Sequence, residues 1–468
     1  MSDANLRPEP DQLLVTIARY ALGAGPFPEE TLATARLVLA DSLGCAALAS
    51  THDACLRVLG PVVPGATFSG GSLVPITGDE LDPVKAAFDT GALIRWLDFN
   101  DTWLAAEWGH PSDNLGAILA VAQHRDLPVQ AALDASVVAH EILGVLALEN
   151  AFNRVGLDHV LLVKVASTAA AGRLLGLDEE RLVAALSNAW IDGQALRTYR
   201  HAPNTGPRKS WAAGDATARG VWLALLAERG EPGYPSALSA ARWGFQDALF
   251  GGREVRLGRA LGTYVMDNVL FKVSVPAEFH AQTAAECGLR LHPQVRDRIA
   301  EIERIEIATQ ESAIRIIDKR GPLHNAADRD HSLQYITVVS LLHGALTDRH
   351  YEDDVASDPR IDALRDRCVV TEDARYSADY LDPEKRSIAN AVRVVFEDGT
   401  TTEHIEVGYP LGHPRRRAEA EAPLRTKLET NLAAAFGPAR SRTLAERLID
   451  DEALPDVPVR RLIELLRA

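Results

Sequence analysis

The chain contains 468 residues, of which 47% are hydrophobic, and its formal net charge is -16. That length allows about two or three domains, or one large domain, with a sizeable core. The excess of acidic groups argues against non-specific binding to nucleic acid or to an anionic membrane surface. An anionic substrate would therefore need a pocket whose local charge is basic.

The N-terminal residues lack the charged-then-apolar pattern of a secretory signal, and no run approaches the roughly 18 uncharged apolar residues of a spanning helix. We therefore expect a soluble cytoplasmic protein with no membrane partner. The cysteines show no CxxC spacing and are typical of reduced thiols; they are Cys45, Cys55, Cys287 and Cys368. An iron–sulfur cluster usually needs about three or four clustered thiolates, so we expect none, and no other cofactor.

From residue 11 to about residue 267 the chain is rich in Ala and Leu with helical periodicity. Residues 32–43 and 131–148 show this pattern, which predicts amphipathic or buried helices. Clusters of Gly and Pro at residues 60–65 and 230–235 interrupt it. This part is predicted to be a helical domain.

From residue 295 the pattern changes to strands mixed with helices. Residues 302–308 partly alternate between apolar and polar, while residues 391–396 and 400–407 flank Asp398-Gly399 and predict a hairpin with a two-residue turn. Residues 333–342 have helical character. This combination indicates a smaller α+β domain.

After Gly408 the helical pattern returns, and the tail is expected to pack against the first domain. The predicted fold class is mainly α, with a large all-helical domain and an inserted smaller α+β domain. The discontinuous helical domain comprises residues 1–267 and 408–468, and the α+β domain comprises residues 268–407.

Several familiar motifs are missing from the sequence. It contains no GxGxxG, GxxxxGK[ST] or GxSxG, which weakens dinucleotide, P-loop and serine-hydrolase interpretations. His140-Glu141 resembles the start of a zinc-protease motif, but Gly144 stands where the second imidazole should be. Residues 98–103 resemble a calcium loop without its glycine. No metal site is predicted.

The densest group of reactive side chains lies in residues 98–114, between apolar helical segments at 84–97 and 115–121. It contains Asp98, Thr102 and a His110-Pro111 pair that fits a helix start. A loop between two buried helices holds functional groups rigidly, and we expect these groups to reach solvent.

Three further segments carry cations, imidazoles and acids. Residues 197–209 are strongly basic, residues 268–280 place Lys272 in an apolar strip, and residues 316–331 are dense in polar groups. Arg and Lys hold carboxylates, while an acid and a base can remove a hydroxyl group and a C–H proton. These parts suit a site that binds a polycarboxylate and eliminates water.

The chain resembles the MmgE/PrpD family over most of its length. The matching segments are DFNDTWLAAEWGHPSDNLGAILAVA (98–122), RTYRHAPNTGPRKSWAAGDAT (197–217), VLFKVSVPAEFHAQTA (269–284), IRIIDKRGPLHNAADRDHSLQY (314–335), YEDDVASDPRIDALR (351–365) and LDPEKRSIANA (381–391). The resemblance implies a homodimeric hydro-lyase, independent of an iron–sulfur cluster, that converts 2-methylcitrate to 2-methyl-cis-aconitate in propionate catabolism. Citrate or cis-aconitate are further substrates that it allows.

The resemblance, together with the local chemistry, also implies a site in a pocket between the domains. The expected catalytic residues are His110, Asp98, Lys272 and Lys209. The expected tricarboxylate-binding residues are Thr102, His159, Arg197, Arg200, His280 and Asp318. The sequence departs from a cis-aconitate-decarboxylating relative at Glu278, where that relative has a histidine.

Other interpretations remain open from sequence. Asp98 and Thr102 also suit helix or turn caps, His110 and His159 suit structural imidazoles, and Lys209 suits a solvated basic face. The same residues fit other chemistry that starts from a carbanion, either decarboxylation of cis-aconitate or epimerisation of an amino-diacid. A non-catalytic tricarboxylate-binding protein is the alternative from another class.

Overall fold

The computed structural model of the protein describes residues 6–468 and is mainly helical, which confirms the predicted fold class. Helices predicted from apolar periodicity are present at the expected places. Those before the inserted segment are α1 (Gln12–Gly23), α2 (Glu29–Ala49), α3 (Asp53–Leu56), α4 (Pro83–Arg95), α5 (Leu115–His124), α6 (Val129–Ala147), α7 (Val160–Leu175), α8 (Glu179–Ile191), α9 (Arg208–Glu228), α10 (Phe245–Leu249) and α11 (Tyr264–Asn268).

Helices α4 and α9 approach each other closely because glycines meet at their crossing. A Cβ atom on Gly91 would lie 2.9 Å from the Cα atom of Gly214, a contact that would force the backbones apart. The close crossing brings Arg95, at the end of α4, near Lys209, at the start of α9. Two cations are thereby placed at one end of the helix pair.

Two short ribbons interrupt the helices of this part. Strands β1 (Ser72–Leu73) and β2 (Glu80–Leu81) pair antiparallel, as do β3 (Trp103–Leu104) and β4 (Trp108–Gly109). The second ribbon lies inside the polar stretch at 98–114, which ends in a 3-10 turn at Pro111–Asn114. The predicted helix start at His110-Pro111 is therefore confirmed.

The expectation that this polar stretch reaches solvent is wrong. Asp98 is 1% exposed and His110 is 6% exposed. The cause is a later segment of the chain, which covers the stretch: the Thr102 amide donates to the Leu270 carbonyl at 2.8 Å, and the Leu270 amide donates back at 3.0 Å. The polar groups therefore lie in the interior.

The inserted segment forms a four-stranded sheet with helices. Its strands are β5 (Ile302–Thr309), β6 (Cys368–Glu372), β7 (Asn390–Phe396) and β8 (Ile405–Val407), and its helices are α12 (Gln282–Val295), α13 (Glu311–Ile317), α14 (Ala326–Arg329), α15 (Leu333–His343), α16 (Asp353–Ala356), α17 (Pro359–Arg365) and α18 (Ala374–Leu381). The strand order is β6-β5-β7-β8, with β5 and β6 parallel and the other pairs antiparallel.

The predicted hairpin after β7 is present, but the predicted two-residue turn is wrong: Val395 pairs with Thr401, which leaves residues 397–399 in the turn. The second strand is also shorter than residues 400–407. Gly399 turns the chain with a φ of +81°, which favours glycine. Next to the turn, the Val394 amide donates to the Thr402 side-chain hydroxyl at 3.0 Å. Regular pairing resumes only at Ile405 because that hydroxyl replaces a backbone partner.

The tail is helical and returns to the first part of the chain. Its helices are α19 (Arg417–Phe436), α20 (Pro438–Ile449) and α21 (Val459–Leu465), and α19 packs along α2. One apolar core joins buried residues from Leu14 to Val273 with those from Ala420 to Leu466, and a second core spans Val275 to Val407.

Within residues 6–468, two helices have the length and apolar composition of a membrane span. They are α2 and α6, but 67% and 83% of their most apolar windows are buried inside the fold. Burial of this extent is the behaviour of core helices in a globular protein. All four cysteines are free, as predicted, and the fold buries them.

His52, just before α3, connects the helical part to the inserted segment. Its Nε2 atom lies 2.9 Å from a carboxylate oxygen of Asp348, and its Nδ1 atom lies 3.1 Å from one of Glu352. Burial lowers the pKa of His52, but the two carboxylates outweigh burial and raise the pKa above its ordinary value. The protonated imidazole therefore holds the two parts together.

This contact predicts a pH-dependent stability. The contribution of His52 should be complete below its unfolded pKa, about 6.5, and should be lost as pH rises through the higher folded pKa. We expect His52→Gln to lower the melting temperature more at pH 6 than at pH 9, measured by scanning fluorimetry. An equal decrease at both values would contradict the assignment.

Candidate active site

The helical part and the inserted segment meet at a small cavity of about 20 Å³, enough for one water molecule. Its lining combines cations, acids and imidazoles with apolar side chains. The lining residues are Arg95, Asp98, Thr102, Leu104, Trp108, His110, His159, Arg197, Arg200, Lys272, Glu278, Phe279, Ile316 and His331. A larger ligand requires these side chains or segments to move apart.

Asp98 occupies the centre of the charged groups. Its carboxylate accepts from Lys272, and its Oδ1 atom lies 2.7 Å from Nη1 of Arg95. Burial would raise the pKa of Asp98, but the charges of Arg95 and Lys272 outweigh burial and hold the pKa well below its ordinary value. Its backbone is left-handed, with a φ of +51°, a conformation that is strained for a residue other than glycine.

Lys272 is fully buried and has two acceptors on the same residue. Its Nζ atom donates to the Asp98 carboxylate and also, at 2.6 Å, to the Asp98 main-chain carbonyl. Burial lowers the pKa of Lys272 despite the neighbouring carboxylate. Lys272 therefore fixes the strained Asp98 backbone and carries an ammonium whose proton is easier to remove than usual.

His110 is oriented by the main chain. Its Nδ1 atom lies 2.6 Å from the Asp101 carbonyl oxygen, which only accepts, so Nδ1 carries the hydrogen. Its Nε2 atom then accepts from Nη2 of Arg95 at 2.8 Å. Burial, reinforced by the Arg95 charge, lowers the pKa of His110 well below its ordinary value. The imidazole is thus neutral, and its Nε2 lone pair is taken by the Arg95 hydrogen bond.

His159 lies against His110, with 5.7 Å between the ring centroids. Neither of its ring nitrogens has a hydrogen-bond partner among the described residues, although Nδ1 lies 3.3 Å from Asp158. Burial lowers the pKa of His159 well below its ordinary value. A buried imidazole without partners is costly unless a ligand completes it.

Two arginines lie at the two ends of the short helix Arg197–Arg200 but differ in their partners. Arg200 binds Asp158 with two hydrogen bonds, so its charge is compensated. Arg197 lies 4.0 Å from Asp158 and stacks 4.9 Å from the Trp108 ring, and its Nη1 atom has no hydrogen-bond partner among residues 6–468. Arg197 therefore keeps a donor for a ligand, as does Arg95, whose Nε atom also lacks a hydrogen-bond partner among these residues.

Lys209 is buried behind the cavity, which excludes the solvated-face interpretation. Its Nζ atom donates to both carboxylate oxygens of Asp330 at 2.5 Å and lies 3.0 Å from Nδ1 of His331. Burial lowers the pKa of Lys209 to about 8. His331 connects this pair to the cavity, since its Nε2 atom lies 3.7 Å from Asp98.

Two of the predicted substrate-binding residues do not line the cavity. His280 lies behind Glu278, which accepts from the His280 ring at 2.7 Å. Asp318 accepts from Gln334, outside the cavity lining. Local chemistry pointed to these residues, but the fold instead brings Glu278 forward at the position where this sequence departs from its relative.

Sequence reasoning missed Arg95, Glu278 and His331 as lining residues. Arg95 follows an apolar helical strip, the same pattern that drew attention to Lys272. His331 ends a segment that was recognised only for its density of polar groups. No local pattern distinguishes Glu278, because its role depends on packing.

A possible metal-ligand set exists among the described residues, formed by Asp98, Asp330 and His331, whose ligand atoms lie within 4.8 Å of one another. The carboxylates are already bound by Lys272 and Lys209. A divalent cation there would have to displace these ammonium groups. The set contains no cysteine.

Two family models together match most of the chain. Residues 15–258 match the MmgE/PrpD N-terminal domain, and residues 275–451 match the MmgE/PrpD C-terminal domain. The chain belongs to the MmgE/PrpD family. The cavity draws residues from both MmgE/PrpD domain models, and Lys272 lies in the short interval between them.

Curated MmgE/PrpD relatives align with nearly the whole chain. The 2-methylcitrate dehydratase of Escherichia coli (strain K12) is 52% identical over 474 residues, covering 98% of each chain. That of Cupriavidus necator is 53% identical over 476 residues, again covering 98% of each chain. The mitochondrial 2-methylcitrate dehydratase of Yarrowia lipolytica is 52% identical over 446 residues, 92% of this chain and 86% of its own.

Proposed function

We propose that this protein is a hydro-lyase that eliminates water from 2-methylcitrate to give 2-methyl-cis-aconitate. The observation that carries the proposal is a single cavity lined by buried cations and imidazoles. It occurs in a chain that is 52% identical, over nearly its full length, to a protein named 2-methylcitrate dehydratase. Four cations and two carboxylates line the cavity, namely Arg95, Arg197, Arg200 and Lys272 with Asp98 and Glu278, and Lys209, Asp158 and Asp330 lie directly behind them.

The cations suit a substrate with three carboxylates. Arg197 has an unused donor for one carboxylate, as shown by its unpartnered Nη1 atom. Arg95 and Lys272 can share a second carboxylate, the one beside the carbon that loses its proton. Their charges would stabilise the negative charge that builds on that carboxylate in the transition state.

His110 is suited to act as the base. When a substrate carboxylate takes up the Nη2 hydrogen of Arg95, the Nε2 lone pair of His110 is released. It then takes the proton from the carbon that bears the methyl group, and the imidazolium formed lies 3.7 Å from the Asp98 carboxylate. The electron pair of the broken C–H bond forms the double bond as the hydroxyl group leaves the neighbouring carbon. Lys272, with its lowered pKa, supplies the proton that turns the departing hydroxide into water.

The proposed mechanism uses no metal or iron–sulfur cluster. Lys272 and Lys209 already pair with Asp98 and Asp330, the two carboxylates of the possible metal-ligand set. We also propose that the enzyme is a cytoplasmic homodimer, on the strength of the family resemblance. Light scattering of the purified protein tests the dimer, and a mass of one chain would contradict it.

The reaction is tested by absorbance of the unsaturated acid when chelator-treated protein is mixed separately with 2-methylcitrate, citrate and cis-aconitate. We expect turnover of 2-methylcitrate without added metal. Loss of cis-aconitate with release of carbon dioxide would indicate the decarboxylase, and binding without turnover of any of the three would indicate a non-catalytic protein. Either result would contradict the proposal.

Arg197→Ala tests the carboxylate clamp. A charge-assisted hydrogen bond contributes about 1.5–3 kcal/mol, so we expect KM for 2-methylcitrate to rise about tenfold or more. Arg154→Ala is the matched control, because Arg154 is exposed in a neighbouring short helix, and its KM should match that of the wild type. An unchanged KM in Arg197→Ala would contradict the proposal that Arg197 binds a substrate carboxylate.

A further inference from the structure

The segment that begins His140-Glu141, which failed as a zinc motif, lies in α6 next to the candidate active site. His140 is 1% exposed, and nothing in the mechanism above uses it. Glu141 accepts from the main-chain amides of Gly262 and Val265, so it serves the fold. His140 instead contacts Asp101, inside the polar stretch that carries Asp98 and His110.

Both ring nitrogens of His140 face oxygen atoms. Nδ1 lies 2.8 Å from the main-chain carbonyl oxygen of Ser136, one turn earlier in α6, and Nε2 lies 2.9 Å from Oδ2 of Asp101. The ring is therefore fixed at both ends. It forms a bridge from a rigid core helix to the Asp101 side chain.

Asp101 is held from a second direction as well. Its Oδ1 atom accepts from the Ser112 amide at 3.0 Å and from the Ser112 hydroxyl at 2.7 Å. The main-chain carbonyl of the same residue receives the Nδ1 hydrogen of His110 at 2.6 Å. The side chain of Asp101 thus sets the position of a carbonyl, and that carbonyl sets the tautomer and direction of the proposed base.

We propose that His140 is a positioning residue for the dehydration, acting through Asp101 to aim Nε2 of His110 at the substrate. The inference rests on the proposed function, because it assigns His140 to the same site. Without the bridge, the Asp101 carbonyl is free to shift and the His110 ring can turn or exchange its tautomer. The cations that bind the substrate carboxylates are untouched.

The test compares His140→Ala with His140→Gln. A glutamine amide can donate to Asp101 from nearly the position of the imidazole Nε2 atom, whereas alanine cannot. We expect His140→Ala to lower kcat about 10- to 100-fold with KM little changed, because a small misplacement of a catalytic group has that cost. His140→Gln should recover most of kcat. The proposal would be overturned if His140→Ala changed only KM, or if kcat decreased equally in His140→Ala and His140→Gln.

His140→Ala leaves a buried carboxylate without its partner and could unfold, so a second comparison avoids that charge. Asp101→Asn keeps a side-chain bridge, since the amide can donate to Nε2 of a neutral His140. We expect most of kcat in Asp101→Asn and a further loss of about 10- to 100-fold in the double variant D101N/H140A. An equal kcat in these two proteins would overturn the proposal.

Ser136→Ala is the matched control in the same turn of α6. It removes a buried hydroxyl that lies 3.5 Å from Nδ1 but keeps the carbonyl that receives the Nδ1 hydrogen at 2.8 Å, so its kcat and KM should match those of the wild type. Imidazole ¹⁵N–¹H spectra provide a readout that does not depend on the substrate. The His110 Nδ1–H correlation should persist in His140→Gln and disappear in folded His140→Ala; its persistence in both would overturn the proposal, even if the wild type proved inactive on 2-methylcitrate.

Discussion

One buried carboxylate, that of Asp98, holds the candidate site together. Arg95 reaches it from the end of α4, and Lys272 reaches it from the segment that leads into the second core. Removing one partner of such a buried pair costs about 3–5 kcal/mol, because the remaining charge stays in a poorly solvating interior. The same contact keeps the Asp98 backbone in its strained conformation, so the geometry of the site and the joining of the two parts are inseparable.

The C-terminal tail supports this contact from behind. Lys427 of α19 donates to the main-chain carbonyls of Phe99 and Lys272, each at 2.7 Å, and pairs with Asp41 of α2 at 2.7 Å. Phe99 follows Asp98 in the chain, and Lys272 is the ion-pair partner of Asp98. The return of the tail to the helical part therefore does more than complete an apolar core. It supplies the donor that buried carbonyls beside the site require.

Much of the fold followed from local patterns, since apolar periodicity marked α2, α6 and α15 and the alternation at 302–308 marked β5. The density of polar groups at 98–114 and the apolar flanks of Lys272 likewise pointed to residues that line the cavity. Other features depend on pairs far apart in sequence, such as Lys209 with Asp330 or Arg200 with Asp158. No local pattern reports these pairs, and the burial of the polar stretch under Leu270 was missed for the same reason.

The proposed chemistry depends most directly on His110, whose imidazole is neutral and lies beside the cations Arg95 and Lys272. The decisive measurement is the turnover of 2-methylcitrate by His110→Ala, in chelator-treated protein whose melting temperature matches that of the wild type. A positioned acid or base contributes about 10²–10⁴-fold, so we predict at most about a hundredth of the wild-type kcat. Turnover close to that of the wild type, with the fold intact, would contradict the role of His110 and the mechanism built on it.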